Sequence, residues 1–127
     1  MQDRFKFRSY GKPNSIIEGM QNIYTFEEIE GGYFNVKVDK GWLSFVKKED
    51  LKIMQCTGLK DKNGKLIYEG DIIKDLIIPE IFYIVKWFNS GFYLESTISG
   101  SFLKFNDTQQ EVIGNIYENP ELLEDGE

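Results

Sequence analysis

The chain has 127 residues, a formal net charge of −6, one cysteine and no histidine, and 41% of its residues are hydrophobic. This composition predicts an ordinary domain with a packed core and argues against a largely disordered chain. One cysteine excludes an internal disulfide, and the lack of histidine removes histidine-based nucleophilic catalysis and the most common metal ligand.

The charge is unevenly distributed along the chain. Residues 1–65 carry twelve basic and nine acidic side chains, whereas residues 66–127 carry three and twelve. Proteins that bind duplex DNA are usually basic over the binding domain, so the acidic total argues against that class. The sequence contains no apolar run near 18 residues and no apolar signal core at its start. These features predict a cytoplasmic protein without a membrane-spanning helix.

The first fifty residues predict strands and short loops. Arg4–Tyr10 alternates between aromatic and basic residues, which is typical of a half-buried strand. Tyr33–Asp39 alternates in the same way, and Trp42–Val46 is a further candidate strand. Between them, Thr25–Gly31 predicts one helical turn, because a threonine cap and two glutamates precede a terminal glycine. We therefore expect residues 1–50 to form a β-rich segment with one short helix.

The remainder predicts short antiparallel strands joined by tight turns. Lys47–Gly58 fits either a short helix that enters a strand or a strand alone. Glu80–Phe88 is the strongest strand candidate, because aromatic and branched residues occupy both of its faces. Together these segments predict a small SH3-like antiparallel barrel over about residues 54–117, whose closure would hide the sheet edges. The expected organisation is an N-terminal segment at residues 1–50 beside a barrel domain at 51–121, followed by an acidic tail at 122–127.

One stretch, CTGLKDKNGKLIYEGDIIK from Cys56 to Lys74, combines two turn signals with a short apolar run. The Asn-Gly pair favours a hairpin turn with positive φ at both residues. The second turn contains a glycine that lets the chain reverse and an aspartate whose carboxylate can accept backbone N–H bonds. The predicted structural turn motif comprises Gly58, Asn63, Gly64, Gly70 and Asp71.

MQCTGLKDKNGKLIYEGDIIK resembles the signature of the YopX family of phage and prophage proteins. FKFRSY near the N-terminus, and YIVKWFNSGFYL and EVIGNIYENPELL later, are similar to further segments of that family. The resemblance implies a β-rich domain with an SH3-like barrel and an origin in a temperate phage or prophage, and hence the cytoplasm of a bacterial host. It places turns of the family motif at Gly58, Gly64, Gly70 and Asp71. It implies no activity and no catalytic residues.

Two sets of residues raise the question of chemistry. Cys56 lies between apolar neighbours, which predicts a buried, inert thiol. Four carboxylates fall within one supersecondary unit and suggest, as the weakest hypothesis, a metal-dependent hydrolase: Asp61, Glu69, Asp71 and Asp75. Because turns commonly carry such residues, we expect them to be solvated turn residues, and we expect no cofactor and no metal.

A group of lysines near aromatic residues suggests an alternative function. Single-stranded nucleic acids bind where bases stack on aromatic rings over a basic groove. The candidate residues are Lys47, Lys48, Lys52, Lys60, Lys62 and Lys65, with Trp42, Phe45 and Tyr68 near them in sequence. The simpler interpretation is a hairpin surface that lysines keep soluble and protect from edge pairing.

Aromatic residues make up 15% of the chain, which is more than a small barrel core readily hides. Some rings should therefore line an exposed groove or a subunit contact. The candidates are Trp42, Tyr68, Trp87 and Tyr93. The favoured function is a non-enzymatic protein-binding or self-assembling module, acting on a host or phage protein or as a homo-oligomer. The alternative is a single-stranded nucleic-acid-binding protein.

Overall fold

The computed structural model describes residues 7–75, 78–88, 91–100, 102–104 and 110–123. Within these ranges the chain forms antiparallel strands and short 3-10 helices, at Lys48–Asp50 and Pro120–Leu123, and no α-helix. The mainly β class predicted from the sequence is confirmed. The strands are β1 (Phe7–Gly11), β2 (Gly19–Ile23), β3 (Thr25–Ile29), β4 (Tyr33–Val38), β5 (Gly41–Lys47), β6 (Leu51–Lys60), β7 (Leu66–Tyr68), β8 (Asp71–Asp75), β9 (Phe82–Phe88), β10 (Gly91–Ser96), β11 (Phe102–Lys104) and β12 (Gln110–Asn115).

The chain divides into two compact units, Met1–Gln55 and Cys56–Glu127. The division falls inside β6, so each unit contains part of this strand. Two predicted features extend beyond the described residues. They are the first half of the Arg4–Tyr10 strand and most of the acidic tail at 122–127.

The first unit has one core between two sheets. β1 pairs with β2 and with the first half of β6, while β4 pairs with both β3 and β5. Side chains alternate between the two faces along β4. Phe34, Val36 and Val38 point toward the core, and the other three residues of the strand lie on the opposite face. The buried core consists of Ile17, Ile23, Val36, Val38, Val46 and Leu51.

The helical turn predicted at Thr25–Gly31 is wrong, because Thr25–Ile29 forms β3. This strand pairs along its whole length with β4. The Phe26 ring packs against Phe7 and Phe34, with centroid distances of 5.6 and 6.0 Å. The pairing and this aromatic packing override the local capping signals.

For Lys47–Gly58 the sequence allowed either a short helix that enters a strand or a strand alone, and the structure contains a short 3-10 helix followed by a strand. A 3-10 helix at Lys48–Asp50 leads directly into β6, which begins at Leu51. The buried residues of β6 recur along the strand, since Leu51, Met54 and Cys56 are buried while Lys52 is exposed.

The second unit contains a curled five-stranded sheet with the order β11-β10-β9-β8-β12, which forms a half-barrel. The second half of β6 pairs with β7 as a hairpin in the same unit. The buried core consists of Ile67, Ile73, Tyr83, Val85 and Leu94. Because β11 and β12 lie at opposite edges of the described sheet, an SH3-like barrel is not shown. No helix in the described part of the chain is long and apolar enough to cross a membrane.

We predict that Gly11→Ala destabilises the first unit by about 2 kcal/mol or more, measured by urea unfolding. A Cβ atom at Gly11 would lie 1.9 Å from the carbonyl oxygen of Ile17, whose side chain is in the core. The backbone would have to move and withdraw Ile17 from its site.

Gly91→Ala is the matched control, because a Cβ there would meet only ordinary contacts with the Tyr93 ring, at 3.6 Å and beyond. Equal stability losses for the two variants would contradict the close packing of Ile17 on Gly11.

Candidate binding face

The face of the β3–β4–β5 sheet that points away from the core carries a cluster of aromatic rings. Lys37 in β4 pairs with Thr25 in β3 and Trp42 in β5, so their side chains share this face. Tyr33 and Lys47 form the next pair toward the other end of the sheet. We call the surface formed by Tyr24, Tyr33, Asn35, Lys37, Trp42, Phe45 and Lys47 the aromatic face.

Three rings of the aromatic face are more than half exposed. The exposed fraction is 63% for Tyr24, 54% for Trp42 and 67% for Phe45. Single exposed apolar residues are common on proteins, but several large rings on one sheet face are typical of an interaction surface.

Contacts within the aromatic face hold several of its side chains in place. The Lys37 ammonium lies 5.9 Å from the centre of the Tyr24 ring, and the Tyr24 hydroxyl donates a 2.6 Å hydrogen bond to Asp39. This hydrogen bond and the negative charge of Asp39 raise the pKa of the Tyr24 hydroxyl. The Tyr33 and Phe45 rings meet edge to face, with their centroids 5.9 Å apart.

Phe45 has an unusual backbone conformation, with φ of +58° in the left-handed region. It lies in a β-bulge, because β5 contains one more residue than β4 between the Val36–Leu43 and Phe34–Val46 pairs. The conformation costs a non-glycine residue about 1–2 kcal/mol. Because the ring is mostly exposed, burial of the ring does not offset that cost.

The Asn35 side chain stabilises the bulge from the opposite strand. Its Oδ1 accepts a hydrogen bond from the Phe45 N–H at 3.3 Å, and its Nδ2 donates to Glu27 at 3.2 Å. Asn35 thus links the backbone of β5 to the edge strand β3 and fixes the base of the Phe45 side chain.

The Cys56–Lys74 stretch forms β-structure with two defined turns. Gly58, Gly64 and Gly70 have φ values of +83°, +83° and +89°. The positive φ expected at Asn63 does not occur. Instead the Gly64 N–H donates to the Asp61 carbonyl at 3.0 Å, and Gly64 alone takes the left-handed position of this turn.

Asp61 is the central residue of the first turn, and its carboxylate is buried. Its Oδ1 accepts hydrogen bonds from the N–H groups of Asn63 and Lys65, each at 2.9 Å, and its Oδ2 accepts one from Val112 at 3.0 Å. Burial raises the pKa of this carboxyl, but the three backbone bonds and the charge of Lys65 lower it more, so that it lies below 3.8. One side chain therefore shapes the hairpin turn and ties it to β12.

Other buried polar residues of the second unit also bind backbone. The Asp71 carboxylate accepts a 2.8 Å hydrogen bond from the Tyr68 N–H. The Asn115 Oδ1 accepts hydrogen bonds from Tyr117 and Glu118 at 3.0 and 2.9 Å. These side chains satisfy backbone N–H groups in turns, which strand pairing leaves without a partner.

The predicted acidic cluster does not assemble into a metal site. Among the described residues, no group of three or more Asp, Glu, Cys or His side chains is placed to hold a metal ion. Asp75 accepts hydrogen bonds from the Ile78 N–H and the Tyr83 hydroxyl. Cys56 is buried, and its sulfur accepts a hydrogen bond from the Gly58 N–H at 3.4 Å.

The other predicted site residues are distributed over both units. Lys47, Lys48 and Lys52 lie in the first unit, whereas Lys60, Lys62 and Lys65 lie in the second, and all six are exposed. The Lys62 ammonium lies 3.9 Å from the Glu111 carboxylate.

The four predicted binding aromatics differ in exposure. Trp42 belongs to the aromatic face, while Trp87 is half exposed and its ring lies 4.8 Å from that of Phe92. Tyr93 is partly buried against Phe88, with the ring centroids 6.4 Å apart. Tyr68 is only 8% exposed, so it contributes to the core and not to an open surface.

A family model described as YopX protein matches residues 6–124. The chain belongs to the YopX family. This match confirms the resemblance of the turn motif and the terminal segments. No curated protein matches the chain.

Two solved structures of similar proteins share the fold. Protein EF1440 from Enterococcus faecalis is 27% identical, with 94% of this chain and 97% of that chain covered and a TM-score of 0.53. Protein YopX from Bacillus subtilis is 19% identical, with 96% and 98% covered and a TM-score of 0.61. At these coverages the shared fold extends over nearly the full length of all three chains.

We predict that Asp61→Asn destabilises the protein by about 2 kcal/mol at pH 7, because an amide nitrogen cannot accept the Val112 N–H. The loss should shrink in acid. A carboxyl whose pKa is lower in the folded than in the unfolded state stabilises the fold above about pH 4. That contribution disappears as the pH falls through the folded-state pKa.

Urea unfolding from pH 7 to pH 2 measures both effects, with Glu80→Gln as a control that removes an exposed turn carboxylate. A variant as stable as the wild type at pH 7, or one with an unchanged pH profile, would show that Asp61 does not tie the turn to β12.

We predict that Phe45→Gly leaves the free energy of unfolding within about 1 kcal/mol of wild type. Relief of the left-handed conformation offsets the entropy that glycine loses on folding. Val46→Gly, one residue further along β5 and fully buried, should cost about 3 kcal/mol. Thermal and urea unfolding compare the variants, and a loss of 2 kcal/mol or more for Phe45→Gly would assign its ring to packing.

Proposed function

We propose that this protein is a non-enzymatic binding module that docks another protein through the aromatic face. The observation that carries the proposal is the exposure of Tyr24, Trp42 and Phe45, each more than half exposed on the aromatic face. Tryptophan and tyrosine are the residues that most often dominate the binding energy of protein interfaces.

The backbone of Phe45 supports the same assignment. Glycine or asparagine fits a left-handed bulge position at lower cost, yet a large exposed ring occupies it. Residues held in strained backbone conformations concentrate at functional sites. The hydrogen bond that Asn35 accepts from the Phe45 N–H holds the backbone at the base of this ring in place, which reduces the entropy lost on binding.

The two edges of the sheet favour docking on its face over pairing along an edge strand. The edge strand β3 carries the exposed charges of Glu27 and Glu28, and β5 is interrupted by its bulge. Charges and bulges on edge strands oppose the addition of a further strand. A partner is therefore expected to contact side chains, not backbone.

The buried carboxylates support a non-enzymatic role, because they accept hydrogen bonds from the backbone. The oxygens of Asp61 and Asp71 accept backbone hydrogen bonds within the turn motif. Catalytic acids and bases need access to a substrate proton, which these positions do not offer.

Single-stranded nucleic acid is the second candidate for the aromatic face. Lys37 and Lys47 lie beside the rings, and bases stack on aromatic residues in such sites. Glu27 and Asp39 also lie on or beside this face, and the whole chain carries a charge of −6. Affinity for a nucleic-acid strand depends on many phosphate contacts, and only two lysines lie among the rings, so we favour a protein partner that binds mainly through the rings.

The proposal is tested with a phage-displayed library of genomic fragments from Bacillus subtilis, selected on the immobilised full chain. We expect fragments that bind wild type and Ile98→Ser but not the double variant Trp42→Ser, Phe45→Gly. Ile98 is the matched control because it is 73% exposed but lies outside the aromatic face. Fragments retained equally by the double variant, or no enrichment on wild type, would overturn the proposal.

A further inference from the structure

We infer that the part of the partner that occupies the aromatic face is a short, extended and acidic peptide segment. This inference rests on the proposed function and specifies the chemistry of the partner. It follows from the size of the face, the spacing of its rings and the placement of its lysines.

The aromatic face is small. β4 has six residues and β5 has seven, and a three-stranded sheet of that length covers roughly 300 Å², from strand spacings of about 4.8 Å and a rise of about 3.3 Å. A standard stable interface buries about 800 Å² on each partner. The aromatic face alone is therefore too small for a stable dimer with a second copy of this chain, but it matches a segment of about six residues.

The rings are spaced like side chains along an extended chain. Because the bulge places Phe45 opposite Asn35, Trp42 and Phe45 lie two strand positions apart, or about 7 Å. Side chains on one face of an extended peptide repeat at the same distance. Two alternate apolar side chains of such a peptide can therefore pack against Trp42 and Phe45 in turn.

The charges of the face favour acidic residues in that peptide. Within the described residues, no carboxylate lies within 4.0 Å of the Lys37 or Lys47 ammonium groups. The nearby carboxylates keep their negative charges but lie at the margins of the face, with Glu27 on the edge strand β3 and Asp39 just beyond the end of β4. Lys37 and Lys47 are the charged side chains that lie among the rings, so a carboxylate placed between the rings meets positive charge.

Three labelled probes test the inference by fluorescence anisotropy at low salt with the full chain. They are a hexapeptide with leucine at positions 1 and 3, glutamate at position 5 and serine elsewhere, so that the three side chains share one side of the extended chain, its counterpart with lysine at position 5, and a six-nucleotide thymidine strand. We expect the glutamate peptide to bind about fivefold more tightly than the lysine peptide, because the first gains an exposed ion pair and the second places like charges together. Lys37→Gln with Lys47→Gln should remove that preference, and Phe45→Gly should weaken both peptides.

Lys48→Gln with Lys52→Gln is the control, since it removes two exposed lysines of the first unit outside the aromatic face. Equal binding of both peptides, or a preference that survives Lys37→Gln with Lys47→Gln, would overturn the acidic assignment. Tighter binding of the thymidine strand would replace the peptide with a nucleic acid. If displayed fragments bind the face only as folded domains and no hexapeptide binds, the inference fails while the proposed function stands.

Discussion

The buried carboxylate of Asp61 is the interaction on which the second unit most depends. It accepts three backbone N–H bonds, two from its own hairpin and one from Val112, which is 51 residues away in sequence. The neighbouring Lys62 N–H also donates to the Gln110 carbonyl at 3.0 Å. A buried carboxylate is unfavourable unless it is hydrogen-bonded, and here each bond also fixes a turn or a strand edge. The hairpin thereby covers the edge of β12 that β8 does not pair with.

The polar side chains of the Cys56–Lys74 stretch, which resembles the YopX family signature, are used to hold the backbone and form no site for a reaction among the described residues. Asp61, Asp71 and the glycines of the turns shape the backbone, and Asn115 does the same near the end of the chain. With these polar groups occupied, the surface features left to carry a function are exposed side chains. The aromatic face belongs to the first unit, outside the turn motif, so we propose that structure and binding are assigned to different parts of the chain.

Local patterns allowed much of this structure to be predicted. Alternation identified β4, the strand-forming residues of Trp42–Val46 and Glu80–Phe88 identified β5 and β9, and turn chemistry located Gly64 and Gly70, because these signals depend on a few adjacent residues. The bond from Asp61 to Val112 could not be predicted, since it joins distant segments. The helical turn at Thr25–Gly31 failed for the same reason: its strand conformation depends on pairing with β4 and on the contact of Phe26 with Phe7.

The candidate face was only partly accessible to sequence analysis. Trp42 was predicted as a binding residue because it is a large aromatic residue. The alternation of β4 also placed Lys37 on the face opposite the core positions. The left-handed bulge at Phe45 carries no sequence signal, because phenylalanine is not a residue that marks positive φ. The lysine patch looked continuous in sequence, but its members belong to two units.

The central claim, that the Asp61 carboxylate is held by three backbone N–H groups, is tested most directly by an NMR titration of the folded protein. Carbon-detected shifts report the Asp61 carboxyl, and amide shifts report Asn63, Lys65 and Val112. The account predicts a midpoint below the ordinary 3.8, shared by all three amide protons. A midpoint at or above 3.8, or a Val112 amide that does not respond, would contradict it.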